Sequence, residues 1–462
     1  MADNPSKSIS QNTNTHRVIL FPLPFQGHMN PMIQLANILH SRGFTISILH
    51  HQYNSPDPSK YPHFSFHLIP GGLSEDQLDK DEPLSAILLI NTDCIKPTRD
   101  CLGKLLSTHD DTACIIMDAN MFSSQAVVEG LGIPRLVLRT SSVCSFLAFA
   151  ILPVLRENGF YSGDLDSRGE DPVLELPPLR VKDVQAIHVQ SLDFTLKIIS
   201  NILEGAKTAS GLIFNTIKDL EEPYLADFHE PFRVPTFLIG PFHKFFSAAS
   251  SSFLTQDRSS VSWLDTQKPG SVLYVSFGSA ATIDGESLRE MTRGLASSMQ
   301  PFLWVVRPGL VQGSEWLESL PNEFMEVVSQ RGYIVKWAPQ QEVLSHPAVG
   351  GFWTHSGWNS ILESVCEGVP MICSSFFGDQ KVNSRYVTDA WKLGIKLEHG
   401  FEREEIESAI RKIMLDKEGQ EIRERALCLK EKIDVSLKTD GSSSQSLNAL
   451  SDLISSFKSS GA

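Results

Sequence analysis

The chain has 462 residues, of which 41% are hydrophobic and 20% charged, and its formal net charge at pH 7 is -14. The composition is that of a soluble globular protein, and the length exceeds what one hydrophobic core normally holds, so two domains are expected. The negative charge opposes binding to nucleic acids and anionic membranes but allows a local positive patch for a small anion, so small-molecule partners are expected.

The first 15 residues are polar and lack the apolar stretch of a secretory signal, which predicts a disordered tail over 1–15. The longest apolar run, FLAFAILPVL at 146–155, is much shorter than the roughly 20 residues that a membrane span requires. The seven cysteines form no CxxC pair, and their number is odd, which predicts free thiols in a reducing compartment. These features predict a cytoplasmic protein without a membrane span.

In the first half of the chain, short apolar runs alternate with helical patterns. RVILFPLPF (17–25) predicts a buried strand. The helix that follows is expected to have Asn30 as its N-cap, Pro31 at its first position and Gly43 at its end. Further strands are predicted at 44–50, 113–118 and 134–140. This alternation predicts a parallel sheet with helices on both faces.

The stretch SAASSSFLTQDRSS (247–260) is rich in serine and has no amphipathic period, which predicts an interdomain linker. Beyond it the alternation restarts, with a helix at 286–299 and strands at 271–278, 302–307, 333–337, 349–355 and 370–374. The sequence therefore predicts an N-terminal domain over 16–246 and a C-terminal domain over 261–440. A final helix within 441–462 is expected to pack back on the N-terminal domain.

One strand-to-helix turn carries a mixture of residues that core packing alone does not explain. No G-x-G-x-x-G follows the first strand and no P-loop occurs, which disfavours a dehydrogenase or a kinase-like protein. In FWTHSGWNSILESVCEG, a helix N-terminus at the carboxyl end of a strand offers N–H groups that suit a diphosphate. His355, Asn359 and Ser360 can add donors. Glu363, one turn further on, can accept hydrogen bonds from the two hydroxyls of a ribose.

One residue before this turn, Trp337, and two after it, Asp379 and Gln380, have two interpretations each. Trp337 ends a predicted strand, where an indole can pack in the core or stack on a flat base; taken alone, it favours the core. A stacked base would contribute roughly 1–3 kcal/mol. Asp379 and Gln380 start another predicted helix and can bind sugar hydroxyls or form a solvated helix start. The combination of all these residues favours a nucleotide-sugar site.

The 44 residues from Trp337 to Gln380 resemble the donor-binding box of plant secondary-product glycosyltransferases, the UDP-dependent family 1 enzymes. The likeness extends to FPLPFQGHMNPMIQLA near the N-terminus and to WLDTQKPGSVLYVSFGS after the predicted linker, so it covers nearly the whole chain. In particular, the chain resembles the subfamily of steviol glycoside glucosyltransferases and cytokinin N-glucosyltransferases. The resemblance implies an α/β GT-B fold, in which the parallel sheets of two Rossmann-like domains face a central cleft. It also implies a monomer that needs no cofactor and no metal.

The resemblance implies a role for each residue of the box. Trp337 would stack on uracil and Ala338 would contact the base through its backbone, while Gln340 and Glu363 would hold the ribose. The diphosphate and the sugar would be held by the remaining residues, which are His355, Trp358, Asn359, Ser360 and Ser279 for the diphosphate and Asp379 and Gln380 for the sugar. Glutamine at the last position accompanies UDP-glucose in this family, so glucose is favoured.

Three positions depart from the family pattern. Ser356 stands where the box commonly has cysteine, and no chemistry is expected of that side chain. Ser374 and Ser375 replace a usual Trp-Pro or Arg-Pro pair. Without that proline the loop before Asp379 is expected to change, which weakens the inference of a glucose donor.

The box binds a donor and does not activate an acceptor, a task for which FQGHMNPM offers His28. A phenol titrates near pH ~10 and an alcohol far higher, so attack on the anomeric carbon needs a base. A neutral histidine can take the proton, and a helix N-terminus beside it disfavours the protonated ring. The resemblance assigns His28 as this base and Asp118 as the partner that fixes its tautomer. It also implies direct displacement with inversion of the anomeric carbon.

The acceptor is the least determined part of the site. By the resemblance its pocket lies mainly in the N-terminal domain, with candidate contacts from Gly27, Ser141, Phe146 and Phe377. Apolar segments at 83–93, 141–155 and 191–203 can line a cleft, and core packing explains each equally well. A flavonoid, a terpenoid, a phenolic acid or a cytokinin fits such a pocket, and the attacking atom can be a hydroxyl, a carboxylate or a nitrogen.

Two classes of function follow from these residues. The first is a UDP-glucose-dependent glucosyltransferase, and the alternative is a catalytically silent UDP-sugar-binding protein. The presence of both His28 and Asp118 favours the enzyme. Hydrolysis of UDP-glucose is expected only as a side reaction when no acceptor excludes water.

Overall fold

Two parallel sheets, one in each half of the chain, organise the molecule. The structure is a computed structural model that describes residues 16–70, 83–160, 168–185, 192–246, 254–314 and 316–457. The predicted tail 1–15, residues 247–253 of the predicted linker and residues 458–462 of the final segment lie outside the described residues.

The N-terminal sheet has seven strands in the order β3-β2-β1-β4-β5-β6-β7, and all neighbours are parallel. The strands β1 and β5 are buried along their whole length, as expected when helices cover both faces of a parallel sheet. The strands are β1 (Arg17–Phe21), β2 (Thr45–His51), β3 (Ser65–Ile69), β4 (Thr112–Asp118), β5 (Arg135–Arg139), β6 (Gly211–Phe214) and β7 (Thr236–Leu238).

Helices of very different length connect these strands. They are α1 (Gln26–Ser41), α2 (Pro83–Asp93), α3 (Ile95–Thr108), α4 (Gln125–Gly130), α5 (Val143–Ala150), α6 (Leu152–Glu157), α7 (Val181–Gln185), α8 (Leu192–Lys207), α9 (Lys218–Glu221), α10 (Leu225–His229) and α11 (Phe242–Phe245). The long helix α8 is amphipathic and packs Ile198, Ile199 and Ile202 against the sheet side that α5 also covers.

The C-terminal sheet has six parallel strands in the order β10-β9-β8-β11-β12-β13. They are β8 (Val272–Ser276), β9 (Phe302–Val305), β10 (Gly332–Val335), β11 (Val349–Thr354), β12 (Met371–Cys373) and β13 (Gly394–Lys396). The helices of this half are α12 (Ser259–Leu264), α13 (Gly285–Ser298), α14 (Asn322–Arg331), α15 (Gln340–Ser345), α16 (Trp358–Glu367), α17 (Gln380–Arg385), α18 (Arg403–Leu415), α19 (Lys417–Ser436) and α20 (Ser442–Ser456).

The strand order fixes where a ligand can bind. In the first sheet the chain direction across the sheet reverses between β1 and β4, and in the second it reverses between β8 and β11. At such a switch point the loops after two adjacent strands run to opposite sides and leave a crevice at the carboxyl ends of the strands. Each domain therefore has one crevice of this kind, and the predicted site residues lie at both.

The last helix, α20, returns to the first half of the chain. Its residues Leu447, Leu450 and Ile454 are fully buried and share one hydrophobic cluster with Val18 and Leu20 of β1. The N-terminal core therefore contains side chains from both ends of the sequence.

Several boundaries differ from those predicted. The helix α1 begins at Gln26, so Asn30 and Pro31 lie inside it rather than at its start. The usual signature of Asn-Pro at a helix start was misleading, because the carbonyl that Pro31 leaves without a partner is served by a side chain of the other domain. The predicted linker 247–260 ends earlier, because Asp257 Oδ1 accepts from the N–H of Ser259 and starts α12 there.

All seven cysteines are free thiols, and six of them are partly or fully buried. In the described ranges no helix is long and apolar enough to cross a membrane. Among these same residues, no group of three or more His, Cys, Asp or Glu side chains is placed to hold a metal ion.

Candidate active site

The switch point of the N-terminal sheet brings His28 and Asp118 together across 90 positions of sequence. His28 lies in the first turn of α1, which follows β1, and Asp118 is the last residue of the adjacent strand β4. The distance from His28 Nδ1 to Asp118 Oδ2 is 2.7 Å. The carboxylate side chain is fully buried, whereas 24% of the histidine side chain is exposed. The ring is thus fixed by a buried partner at Nδ1 and remains partly accessible to solvent.

This geometry selects one tautomer of His28. A carboxylate only accepts hydrogen bonds, so Nδ1 carries the proton and Nε2 keeps a free electron pair. The backbone N–H of Asn120 donates to Asp118 Oδ1 at 2.9 Å and fixes the carboxylate. The arrangement can take a proton at Nε2 and stabilise the resulting imidazolium.

Thr140 is a further polar residue at this site that was not predicted from the sequence. Its Oγ1 lies 3.1 Å from His28 Nδ1, so it shares the same ring nitrogen with Asp118. Thr140 directly follows β5, the neighbour of β4 in the sheet. Its position at the carboxyl end of a predicted strand was a signal that could have identified it.

The switch point of the C-terminal sheet forms the predicted diphosphate turn. His355 follows β11, and its Nε2 lies against the backbone of both Gly278 and Gly357; a Cβ atom there would approach Nε2 to 2.7 and 2.3 Å. Burial lowers the pKa of His355 to about 4, so its ring is neutral at pH 7. Ser279 is exposed in the facing turn after β8. Glycine is therefore required at positions 278 and 357 for the His355 ring to lie in this crevice.

Three residues in the first turn of α16 are predicted to surround the diphosphate, and each of their side chains makes a hydrogen bond within the protein. The indole of Trp358 is buried, and its Nε1 donates to the carbonyl oxygen of Asn215 at 2.7 Å. The indole is therefore engaged, and the part of Trp358 that remains available to the predicted diphosphate is its backbone N–H. Asn359 Nδ2 donates to the carbonyl oxygen of Gly27 at 2.9 Å, and Ser360 Oγ accepts from Gln340 Nε2 at 3.0 Å.

The residues predicted to hold the ribose contact one another directly. Gln340 Nε2 donates to Glu363 Oε2 at 2.6 Å, and Gln341 Nε2 donates to Glu363 Oε1 at 2.9 Å. The hydroxyl of Tyr274 donates to Gln340 Oε1 at 3.2 Å. Burial raises the pKa of Glu363, while the two glutamine amides favour its ionised form. A preoriented carboxylate at this position suits two neighbouring hydroxyls as donors.

Trp337 and Ala338 lie just beyond β10, which ends at Val335 rather than at 337 as predicted. Trp337 is half-buried and packs at the edge of a hydrophobic cluster of this domain, and Ala338 is buried in that cluster. The carbonyl oxygen of Trp337 accepts from the N–H of Asp257, which holds the backbone in place. The half-buried indole is compatible with both core packing and stacking on a base, because one part packs in the cluster and the other part is accessible to solvent.

The loop before α17 is organised by hydrogen bonds rather than by a proline. Gln380 is buried, and its Oε1 accepts from the N–H groups of Phe376 and Phe377 at 2.8 and 3.2 Å. Ser375 Oγ donates to the carbonyl oxygen of Gln380 at 3.0 Å, and Ser374 Oγ accepts from the indole of Trp353 at 2.8 Å. The two serines that depart from the family pattern thus both stabilise this loop.

Asp379 precedes α17 and faces the other domain. Its Oδ2 accepts from the hydroxyl of Ser145 in α5 at 3.1 Å. Ser145 was not predicted from the sequence, because no local pattern marks it. The carboxylate predicted to bind the sugar therefore lies at the interface of the two domains.

The four candidate acceptor residues are placed unequally. Gly27 is exposed and Phe377 is half-buried. Ser141 is buried and accepts from Arg139 Nε at 2.9 Å. Phe146 is fully buried against Phe214, Phe228 and Phe232, with ring centroids 5.1–6.0 Å away. The assignment of Phe146 to the acceptor pocket is corrected, since its ring packs in the aromatic core.

The two switch points meet in one cleft. The bonds from Asn359 to Gly27, from Trp358 to Asn215 and from Ser145 to Asp379 all join the domains there. A small cleft between α1 and α16 is lined mostly by polar residues, namely Asn30, Pro31, Gln34, Asn215, His243, Asn359, Leu362 and Glu363. A diphosphate at the start of α16 would lie beside the turn that carries His28.

The sequence is similar to those of known proteins. Residues 256–427 match the model of the family described as UDP-glucoronosyl and UDP-glucosyl transferase. UDP-glycosyltransferase 76B1 of Arabidopsis thaliana is 47% identical over 440 residues, covering 95% of this chain and 98% of the relative. UDP-glycosyltransferase 76G1 of Stevia rebaudiana is 46% identical over 450 residues, covering 96% and 97%.

Solved structures agree with the fold. The UDP complex of UDP-glucose: anthocyanidin 3-O-glucosyltransferase matches with a TM-score of 0.82 at 26% identity, covering 96% of this chain and 100% of that one. Phytolacca americana UGT2 with UDP-2fluoro-glucose and pterostilbene matches with a TM-score of 0.79 at 28% identity, covering 95% and 99%. The predicted family and fold are confirmed: the chain belongs to the plant UDP-glycosyltransferases, transferase enzymes with the GT-B fold.

Proposed function

We propose that the protein transfers glucose from UDP-glucose to a small hydrophobic plant metabolite, with inversion of the anomeric carbon and with His28 as general base. The observation that carries the proposal is the contact of His28 Nδ1 with Asp118 at 2.7 Å, in a turn that Asn359 joins to the start of α16. A base with a fixed tautomer thus lies next to the helix N-terminus that suits the donor diphosphate.

The proposed step is a single displacement. The acceptor oxygen attacks the anomeric carbon and gives its proton to His28 Nε2, while Asp118 stabilises the imidazolium. The bond from the anomeric carbon to the diphosphate oxygen breaks, and UDP leaves with that electron pair. The N–H groups at the start of α16 stabilise the growing negative charge on the diphosphate. His28 then releases its proton to solvent, and no metal or cofactor is required by this scheme.

The donor assignment rests on the residues around the proposed sugar and nucleotide positions. Glu363 and Gln340 are arranged for a ribose, and the half-buried Trp337 suits a flat base. Asp379 lies at the interface of the two domains, and Gln380 follows it at the start of α17. Complexes with UDP and with UDP-2fluoro-glucose are known for two of the structural relatives. Together these observations favour UDP-glucose as the donor.

The acceptor class is proposed from the character of the N-terminal domain and from the names of relatives. One relative in Arabidopsis thaliana, 42% identical over 436 residues, is named flavonol 3-O-glucosyltransferase, and the solved Phytolacca enzyme contains pterostilbene. Both acceptors are flat phenols, for which a general base is useful because a phenol is un-ionised at neutral pH. We therefore expect a phenolic or alcoholic acceptor rather than a carboxylate, which needs no base.

An acceptor panel with UDP-glucose tests this function. The panel contains flavonols, diterpene and monoterpene alcohols, phenolic acids and cytokinins, and mass spectrometry detects the gain of one hexose. We expect at least one phenol or alcohol to gain a hexose, and NMR of the product to show the inverted anomer. Retention of the anomeric configuration would contradict the mechanism. If UDP binds and no acceptor gains a hexose, the silent UDP-sugar-binding protein becomes the better description.

A further inference from the structure

The carbonyl oxygen of Gly27 has an unusual partner. In a regular helix it would accept from the N–H four residues later, but residue 31 is a proline and has none. Asn359 Nδ2 donates to this oxygen instead, at 2.9 Å. Because a carbonyl oxygen only accepts, the nitrogen end of the Asn359 amide is the end that faces Gly27. The hydrogen-bond donor that completes the first turn of α1 is thus a side chain of the other domain.

The two residues of this hydrogen bond lie next to different parts of the proposed site: Gly27 is beside the general base, and Asn359 is beside the proposed diphosphate position. Gly27 directly precedes His28, whose ring is held by Asp118. Asn359 is the second residue of α16, at whose start the diphosphate is proposed to lie. Its neighbour Trp358 also donates across the interface, to the carbonyl oxygen of Asn215 at 2.7 Å. Two consecutive side chains thus attach the start of α16 to backbone oxygens of the N-terminal domain.

We propose that Asn359 is a positioning residue for His28, in addition to any contact that it makes with the donor. Through its bond to Gly27 it sets the distance from the general base to the anomeric carbon of a sugar held at α16. This role rests on the proposed transferase function. A displacement of about 1 Å in such a geometry can cost roughly 10²-fold in rate, so one hydrogen bond at this point has a large effect.

The variant Asn359→Ala separates this role from donor binding when two acceptors are compared. The acceptors are 2-naphthol and 4-nitrophenol at one pH at which only the nitrophenol is ionised. The ionised acceptor needs no base, so a misplaced His28 slows only the transfer to 2-naphthol. At saturating UDP-glucose we expect kcat to fall roughly 10- to 100-fold further with 2-naphthol than with 4-nitrophenol. Equal losses would locate the effect at the diphosphate and overturn the proposal.

The variant Pro31→Ala supplies the control for a merely structural role. It gives residue 31 an N–H that can bond to Gly27 within the helix. In Pro31→Ala/Asn359→Ala the carbonyl therefore regains a partner, while no bond joins Gly27 to α16. We expect the thermal unfolding midpoint of this double variant to rise above that of Asn359→Ala and its kcat with 2-naphthol to stay low. Recovery of kcat would mean that Asn359 only satisfies a carbonyl, against the proposal.

The wild-type enzyme is measured first, because this separates the two proposals. If it transfers glucose to both acceptors and Asn359→Ala does so at the same rates, the positioning role is refuted and the transferase function stands. If the wild-type enzyme transfers glucose to neither these acceptors nor the wider panel, the proposed function fails, and the positioning role fails with it.

Discussion

At the scale of single residues, the proposed chemistry depends on which nitrogen of His28 carries the proton. Asp118 is fully buried and contacts Nδ1, and the N–H of Asn120 fixes its other oxygen. An amide at position 118 could present its N–H to Nδ1 and so stabilise the wrong tautomer. The carboxylate therefore matters for orientation and for charge.

Two substitutions test this pair. We expect His28→Ala and Asp118→Asn each to lower kcat for a phenolic acceptor by roughly 10²- to 10⁴-fold, because both remove proton transfer in the transition state. The dissociation constant of UDP, measured by calorimetry, should stay unchanged. His399→Ala is the control, since that imidazole is 74% exposed and pairs with Glu405 on the surface. Unchanged turnover in His28→Ala would contradict the assignment of the base.

The sequence and the family resemblance predict site residues by type, but they cannot tell which atoms of those residues are free. Trp358 and Phe146 show the difference. Both were predicted to contact a ligand, and both place their rings in packed interiors. Burial depends on the neighbours that the fold brings together, such as Asn215 for Trp358, which lies 143 residues away in the sequence.

At the scale of elements, glycines decide how closely two strands and their turns can approach. Gly350 lies in β11 at the point where its register with β8 shifts. A Cβ atom at Gly350 would lie 2.1 Å from the carbonyl oxygen of Gly270, which belongs to backbone and cannot turn away. The start of β11 is therefore compatible only with glycine at this position.

A matched pair of variants tests this constraint. We expect Gly350→Ala to lower the free energy of unfolding by roughly 1–3 kcal/mol, because the backbone must shift to admit the methyl group. Gly285→Ala in α13 adds the same methyl group where nothing lies within 4 Å, and it should leave stability unchanged or slightly raised. Unfolding followed by circular dichroism in urea compares the two. Equal stabilities would refute the steric explanation.

The start of α1 shows why element boundaries were predicted less well than element types. The order of strands and helices was predictable, because apolar runs and amphipathic patterns are local. The first residue of α1 was not predictable, because the cost of Pro31 inside the helix is offset by a hydrogen bond donated by Asn359. A helix whose first turn is completed by another domain carries no local signal of its true start.

At the scale of the whole molecule, a buried ion pair joins the domains beside α17. Asp183 of α7 is fully buried and accepts from Arg385 Nε at 2.8 Å and from Lys396 Nζ at 3.3 Å. The Arg385 side chain is only 5% exposed. A buried ion pair of this kind contributes little to net stability, because the loss of hydration on burial offsets the attraction between the charges.

Removing one partner should therefore be costly. We expect Asp183→Asn to lower the free energy of unfolding by about 1.5–3 kcal/mol, because it removes the charged hydrogen bonds of Arg385 and Lys396 to a buried carboxylate. Both cations keep partly exposed carboxylates nearby, from Asp389 and Glu398. Asp183→Asn/Arg385→Gln should be less destabilised than the sum of the single variants. Asp100→Asn breaks an exposed pair with Lys96 and should change little. If Asp183→Asn and Asp100→Asn unfold alike in a thermal scan, the buried pair does not hold the domains.

The two-domain architecture was predictable because each half repeats the same strand-helix alternation. The meeting of residues 28 and 118 came from the resemblance alone. It depends on the order of strands across the sheet, in which β1 lies beside β4, and nothing in the local sequence records that order. The same holds for Ser145 and Asp379, which meet across the interface.

The return of α20 to the N-terminal core has a consequence for synthesis. The side chains of Leu447, Leu450 and Ile454 complete a cluster that begins with β1, yet the ribosome adds them more than 400 residues after that strand. Domains generally fold as units from the N-terminus during translation. Here the first domain must wait, with an apolar surface exposed, until the residues of α20 have left the ribosome. A message truncated before residue 442 therefore yields an N-terminal domain that cannot close its own interior.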